Sequence, residues 1–337
     1  MTLITLPKRG RGRPSAKAQA DYDAKVEEFC RRLLEIQSGL DFKPGARGWC
    51  YILEEYGLLK GDFDKAEDLI NTCRKSGHLP VDFTMEDSKR EIDNVETIDN
   101  TSEDEEAEWI LNYISRAHLN YTPISFWDDK PVFIQMLVEK SDLKSLFTPV
   151  VRDFRIPIAN SGGWSDLHVR AKMMRRFAYW EAKGKQCVLL YCGDFDPGGL
   201  QISGFLRKNF ADLADAVGWH PGNLIIDRFG LNHEFIQEHN LTWIDNLETG
   251  SGQRLDDPGH PDHDKAYVRD YIGRYGARKV EANALVVRPD AGRDLCRQAI
   301  LKYVDADLIV AYEEQLASVR EGVRQGVARL IEEGYLA

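Results

Sequence analysis

At 337 residues, 43% hydrophobic, 29% charged and 10% aromatic, the chain has the make-up of an ordinary globular protein with one large domain or two to three smaller ones, which excludes disorder throughout. Its longest largely apolar runs, Val132 to Val138 and Val188 to Cys192, fall far short of the roughly 18 to 20 residues that cross a bilayer, and no hydrophobic segment follows the early basic residues as in a secretory signal, so the expectation is a cytoplasmic protein with no membrane partner. A formal net charge of −11 excludes a protein that coats DNA uniformly, yet that charge is unevenly spread.

Residues 1–20 form a basic tail with Lys8, Arg9, Arg11, Arg13 and Lys17. Its Arg-Gly-Arg-Pro core at 11–14 resembles an AT-hook, in which glycine lets the backbone lie flat in a narrow minor groove while arginines enter the negative potential of A·T-rich DNA. Arg11 and Arg13 are therefore candidate DNA contacts, the alternative being a generic basic leader. Residues 84–109 are the opposite extreme, with eleven acids against Lys89 and Arg90. So few apolar residues bury little, and 91–112 reads as an acidic linker. The six cysteines show no finger spacing, so neither disulfides nor zinc are expected.

Between these extremes, residues 21–90 have helical periodicity. Val26, Phe29, Cys30, Leu33 and Leu34 recur at spacings of three and four, and a second helix is predicted over roughly 45–57. A third starts at Asp64, with Glu67 as a capping-box partner, and stops at Gly77. Two short helices joined by a turn suggest a helix-turn-helix, with Arg74 and Lys75 facing DNA and 79–83 as a wing. Any small helical bundle would read the same way.

On the second helix, Trp49, Ile52, Leu53 and Tyr56 share one face, while Arg47 and Tyr51 point to the other. Tyr51 is thus expected outside the core stripe. A phenolic oxygen can attack a phosphodiester, and a neighbouring cation favours the phenolate that otherwise forms only near about pH 10. A surface or interface tyrosine is the plainer alternative.

From residue 110 onward strands alternate with helices: strands at 132–138, 155–159 and 187–192, a helix around Leu143 and another over 166–183. Such alternation predicts an α/β domain with a parallel sheet covered by helices, here over 113–337 with a C-terminal helical extension. Acids follow the strands: Glu139 after the first, Asp194 and Asp196 after the third. In open α/β sheets ligands bind beyond the carboxyl ends of strands, and residues i and i+2 of extended chain share a side. Carboxylates without His or Cys suit Mg²⁺ or Mn²⁺. His260 and His263 lie in a Pro/Gly-rich stretch and read as solvated loop.

Glu139-Lys140 after a strand, followed by Asp194-Phe195-Asp196-Pro197-Gly198-Gly199, resembles the Toprim domain of topoisomerases, primases and related nucleases. Arg47 to Tyr51 resembles the Arg-x-x-x-Tyr signature of the DNA-cleaving A subunit of topoisomerase VI and of the meiotic double-strand-break transesterase, compact bacterial or phage relatives above all. The likeness spans roughly residues 25–305 and includes 280–285, where Glu281 is the extra carboxylate. It implies a CAP-like winged-helix domain ahead of a Toprim domain, and a homodimer that cuts double-stranded DNA. Tyr51 would be the nucleophile and become linked to a 5′ phosphate, Arg47 its support, and Glu139, Asp194 and Asp196 the Mg²⁺ or Mn²⁺ ligands, each tyrosine serving the partner's metal site. A hydrolytic Toprim nuclease and a non-catalytic DNA-binding descendant remain as alternatives. No Gly-x-x-x-x-Gly-Lys-Ser/Thr loop occurs, so ATP-driven strand passage would need a separate ATPase subunit.

Overall fold

Val132–Val138 (β1) is apolar but for Gln135, and from Phe133 onward every residue is buried, as a strand covered on both faces requires. Buried Gln135 is satisfied by donating to the Met173 carbonyl and accepting from Arg176. The computed structural model, which describes residues 3–8, 15–85, 100–161, 167–248 and 253–335, pairs β1 with Ile158–Asn160 (β2) on one side and Gln186–Cys192 (β3) on the other. Ile225–Gly230 (β4) extends the sheet beyond β3, giving the all-parallel order β2-β1-β3-β4.

Helices make the crossovers: Ser141–Asp153 (α5) from β1 to β2, Leu167–Ala182 (α6) from β2 to β3, and Ile202–Ala211 (α7) from β3 to β4. Because such crossovers are right-handed, the chain leaves β1 in one direction and β3 in the other, and α5 covers one face while α6 and α7 cover the opposite one. The direction of winding therefore changes between β1 and β3, the place where open α/β sheets form ligand crevices. Val138 is level with Cys192, so the residues after both strands emerge together at that crevice. The α/β class predicted from the alternation is the observed one. Details differ: the second strand is Ile158–Asn160, not 155–159, since Arg155 has φ 53° and ends the α5 turn; the third starts one residue early, at Gln186; and β4 was not foreseen.

Ahead of the sheet, Ala16–Ser38 (α1) buries Val26, Phe29, Cys30 and Leu33, and Phe63–Lys75 (α3) buries Phe63, Ala66, Ile70 and Cys73. Between them Ala46–Glu54 (α2) packs on α3 with one face and on the short helical segment Ala282–Val287 with the other. Ion pairs Arg288 with Glu55 (2.7 Å) and Arg293 with Asp41 fasten the same seam. So does Asp142 of α5, whose buried carboxylate accepts from Gly45 N–H (2.5 Å) at the positive end of the α2 dipole.

Several local expectations are corrected. The capping box of α3 is not formed: Asp62 precedes the helix without a side-chain cap, and Asp64 and Glu67 turn to Arg47 at 3.3 and 3.4 Å. No wing strand occurs at 79–83, which is turn, because Leu79 and Phe83 are pulled into the core and Phe83 stacks on Trp49 at 4.7 Å. Helix α1 starts at Ala16 and Ile4 is buried with its N–H bonded to Tyr56, so 1–20 is not a free tail along its whole length. Arg11 and Arg13 lie outside the described residues, as do 91–99 of the acidic stretch. The remainder of that stretch enters the helix Glu103–Arg116 (α4), which buries none of its residues. Capping explains it: Ser102 and Glu105 exchange hydrogen bonds in a capping box, and four acids in the first turn favour the helix N-terminus. The chain ends in Asp307–Glu332 (α8), the helical extension, which buries Tyr312 and Leu316. Among the described residues no helix is long and apolar enough to cross a membrane.

Candidate functional site

Glu139 stands one residue beyond β1, its N–H bonded to Cys192 at the end of β3. Its Oε2 accepts from Asp194 N–H (2.9 Å) and from the Tyr191 hydroxyl (3.3 Å). Asp194 in turn accepts from Ala282 N–H through Oδ1 (2.7 Å), and Asp196 caps the single helical turn Pro197–Leu200 by accepting from Gly199 N–H (2.5 Å). The three carboxylates named from the sequence are therefore gathered at one sheet edge, each held by a backbone N–H. Phe195 between the two aspartates packs away against Tyr271 and Tyr275, as the alternation of extended chain requires.

The electrostatics follow from burial. Burial and the nearby Glu139 charge push Asp194 up to about 7, and burial raises Asp196 as well. Burial acts on Glu139 in the same sense, but the Lys140 ammonium and the Asp194 N–H outweigh it and hold Glu139 below its ordinary value. Lys140 reaches Glu139 Oε1 at 2.9 Å and Asp194 Oδ2 at 3.1 Å, and their two charges lift it above its ordinary value despite burial. Arg228, half-buried, donates to the carbonyls of Asp194, Gly199 and Leu231. A cleft of about 360 Å³ opens beside Glu139 and Asp196, floored by Gly198 and Gly199 and rimmed by Phe205 and Asn209, room for a phosphate group and several waters but not for a duplex.

Among the described residues, no group of three or more His, Cys, Asp or Glu side chains is arranged to hold a metal ion. The donor chemistry nevertheless fits a hard divalent cation: the acids offer oxygen alone, and two of them already converge on one positive charge. His260 and His263, both half-buried, bond to nearby backbone, Asp262 N–H and the Leu255 carbonyl.

Tyr51 is the main correction. Its side chain is 0% exposed, because α2 is packed between α3 and 282–287, with the Tyr51 ring edge-on to Phe63 of α3 at 5.1 Å. The Tyr51 hydroxyl donates to Glu281 Oε2 at 2.5 Å, and Ala282 next in sequence holds Asp194. Arg47 does lie alongside, its Nε 3.9 Å from Glu281 and its guanidinium 5.1 Å over the Phe63 ring. It does not bring about a phenolate: burial, the Glu281 charge and the hydrogen bond to it push the phenol well above its ordinary value, and Arg47 offsets only part. The acid that the hydroxyl meets, Glu281, belongs to the same chain. Lys60, 5.1 Å over the Tyr51 ring and bonded to the Thr242 carbonyl, completes the surroundings.

Arg74 donates to the Val81 carbonyl and to Asn71, tying down the turn after α3, whereas Lys75 is exposed. Sequence reading assigned no part to Lys140 or Tyr191; the signal for Lys140 was its place next to Glu139, and Tyr191 is hidden in a strand run. Comparison with family models, curated proteins and solved structures finds no match to this chain.

The loop geometry gives one direct test. A Cβ at Gly199 would collide with the Asp194 carbonyl oxygen and approach Asp196 Oδ1 at 3.1 Å. Gly199→Ala is therefore expected to cost about 1–3 kcal/mol, as overpacking does, and to lower the melting temperature. An unchanged melt would show that the Asp194–Gly199 loop is not packed this tightly.

Proposed function

We propose that the chain is a metal-dependent DNA-cleaving transesterase of the topoisomerase VI A type, with Tyr51 as nucleophile, working as a homodimer on double-stranded DNA. One observation carries the reading: Tyr51, from a helix 230 residues away in sequence, puts its hydroxyl on Glu281, adjacent to the residue that orients Asp194. Phenol, proton acceptor and metal-type carboxylates thus meet in one place.

In this reading the Tyr51 proton passes to Glu281 as the phenolic oxygen bonds to phosphorus, and the P–O3′ bond breaks with O3′ taking up a proton. Arg47, beside Glu281, would steady the phosphate. Glu139, Asp194 and Asp196 would hold Mg²⁺ or Mn²⁺, which supplies neutralisation of the charge growing on the phosphate and on O3′. The α2–α3 unit, two helices joined by a turn, would carry the DNA, Lys75 offering an exposed charge. A separate ATPase subunit would be needed for any strand passage.

The test is incubation with supercoiled DNA and Mg²⁺ or Mn²⁺, a detergent quench, and a search for protein covalently attached to 5′ ends. Attached protein is expected. The total burial of Tyr51 favours a second reading, a hydrolytic nuclease in which water replaces the phenol; that enzyme leaves a free 5′ phosphate. A non-catalytic DNA-binding protein would leave the DNA uncut.

The basic tail is tested apart from the chemistry. Because Ile4 and α1 belong to the packed structure, substitution is cleaner than deletion. Arg11→Ala with Arg13→Ala is expected to weaken DNA binding, most on A·T-rich duplexes, and to flatten the salt slope by up to about 2 units, roughly 0.9 for each phosphate that is no longer neutralised. Fluorescence anisotropy across a salt series measures it; an unchanged slope would mean that the tail does not touch DNA.

A further inference from the structure

A lysine placed between a buried and a half-buried carboxylate is unusual at an edge proposed to take a divalent ion. Lys140 lies two residues beyond β1 and directly precedes α5, in extended conformation (φ −115°, ψ 148°). Its ammonium stands 2.9 Å from Glu139 and 3.1 Å from Asp194, bridging residues that the fold brings together from different strands. The other nearby cations are engaged elsewhere: Arg228 on carbonyls, Lys279 on Glu281 at 3.8 Å, Arg47 on Glu67, Asp64 and Glu281. Among the described residues, Lys140 is the cation that the Glu139–Asp194 pair holds.

A divalent ion bound by those two carboxylates needs the oxygens that Lys140 now occupies. Mg²⁺ and its relatives bind carboxylate oxygen at about 2.0–2.1 Å, so an ammonium within hydrogen-bond reach of the same oxygens would face a doubly charged ion at close range. Both cannot stay. The lysine side chain is about one third exposed, its four-carbon stem is flexible, and a route to solvent exists.

We propose that Lys140 is a resident counter-ion, which neutralises the Glu139–Asp194 pair when no metal is bound and is displaced when the metal enters. The inference rests on the metal reading above and adds a consequence: the protein folds around its acids without the ion, and metal affinity is set by competition with its own lysine. Loading then becomes weak and reversible, and the released ammonium is left at the rim of the cleft.

The experiment compares full-length parent, Lys140→Met and Lys140→Arg, stripped of metal and titrated with Mn²⁺ alone while free Mn²⁺ is followed by electron paramagnetic resonance. Lys140→Met keeps the stem and removes the competitor, so it is expected to bind Mn²⁺ about tenfold more tightly or better. Its metal-free melting temperature should fall, and its rise on adding Mn²⁺ should exceed that of the parent. Lys140→Arg keeps the charge and should resemble the parent. Equal or weaker Mn²⁺ binding by Lys140→Met, with the parent still binding, overturns the displacement while leaving the metal reading intact. Absence of Mn²⁺ binding in all three proteins overturns both.

A second measurement needs no variant. In the parent, acylation of Lys140 by an amine-reactive acetyl ester, read by mass spectrometry of its peptide, should increase several-fold when Mn²⁺ is added, because a displaced ammonium gives up its two carboxylate partners. Unchanged reactivity at a Mn²⁺ concentration that saturates binding also overturns the proposal.

Discussion

Tyr51→Phe abolishes covalent cleavage and leaves DNA binding close to that of the parent: this is the result expected if the phenolic oxygen is the nucleophile, since the ring and its packing remain while the reacting atom is gone. The stability cost is not that of a surface change. Tyr51 is wholly buried and its hydroxyl donates to a carboxylate, so losing that bond should cost about 1–3 kcal/mol, the range for hydrogen bonds to charged groups. Glu281 keeps Arg47 and Lys279 nearby, which limits the loss. A urea melt therefore accompanies the assay, run where both proteins are folded. Cleavage at the parent's rate by Tyr51→Phe would remove Tyr51 from the chemistry and leave the hydrolytic reading, with the metal-type carboxylates unaffected.

What could be read from the sequence was governed by how local its cause is. β1, apolar but for Gln135, and β3, apolar after Gln186, end where acids begin, and the convergence of Glu139 with Asp194 and Asp196 follows from parallel strands in register. β4 escaped because Asp227 and Arg228 interrupt its apolar pattern; Arg228 is there to reach carbonyls under the Asp194 loop, a task visible only in three dimensions. The helical wheel placed Tyr51 opposite the stripe correctly, but exposure did not follow. A helix between two layers has two buried faces, and the second layer comes from residues 282–287, far along the chain. The misjudged Arg47 has the same origin: next to Tyr51 on the wheel it looks like an activating cation, yet burial, together with Glu281 from the distant layer, reverses the balance on the phenol. Helix α4 was missed for a local reason, since low apolar content was weighed and the Ser102–Glu105 box was not.

The placement of Tyr51 on Glu281 of its own chain decides what a mixture of inactive proteins should do. Asp194→Ala removes a carboxylate that, with Glu139, forms the shared cation position, and too few hard ligands remain for an ion that dehydrates reluctantly. It should bind no Mg²⁺ and make no cuts, while folding survives because relief of the Glu139 repulsion offsets the lost Ala282 hydrogen bond. Mixed with Tyr51→Phe under conditions of subunit exchange, about half of all dimers would be hybrids by random pairing. If each tyrosine served the partner's carboxylates, every hybrid would contain one intact set and single-strand nicking would return. If it serves its own, as the contact of Tyr51 with Glu281 indicates, each chain of the hybrid lacks one half and the mixture stays inactive. The expected result is inactivity, read as absence of nicked circles and of protein-linked ends, with a parent-plus-Tyr51→Phe mixture showing that exchange has occurred. Nicking by the mixture would mean that the closed arrangement of Tyr51 on Glu281 opens before catalysis and the tyrosine crosses to the other copy.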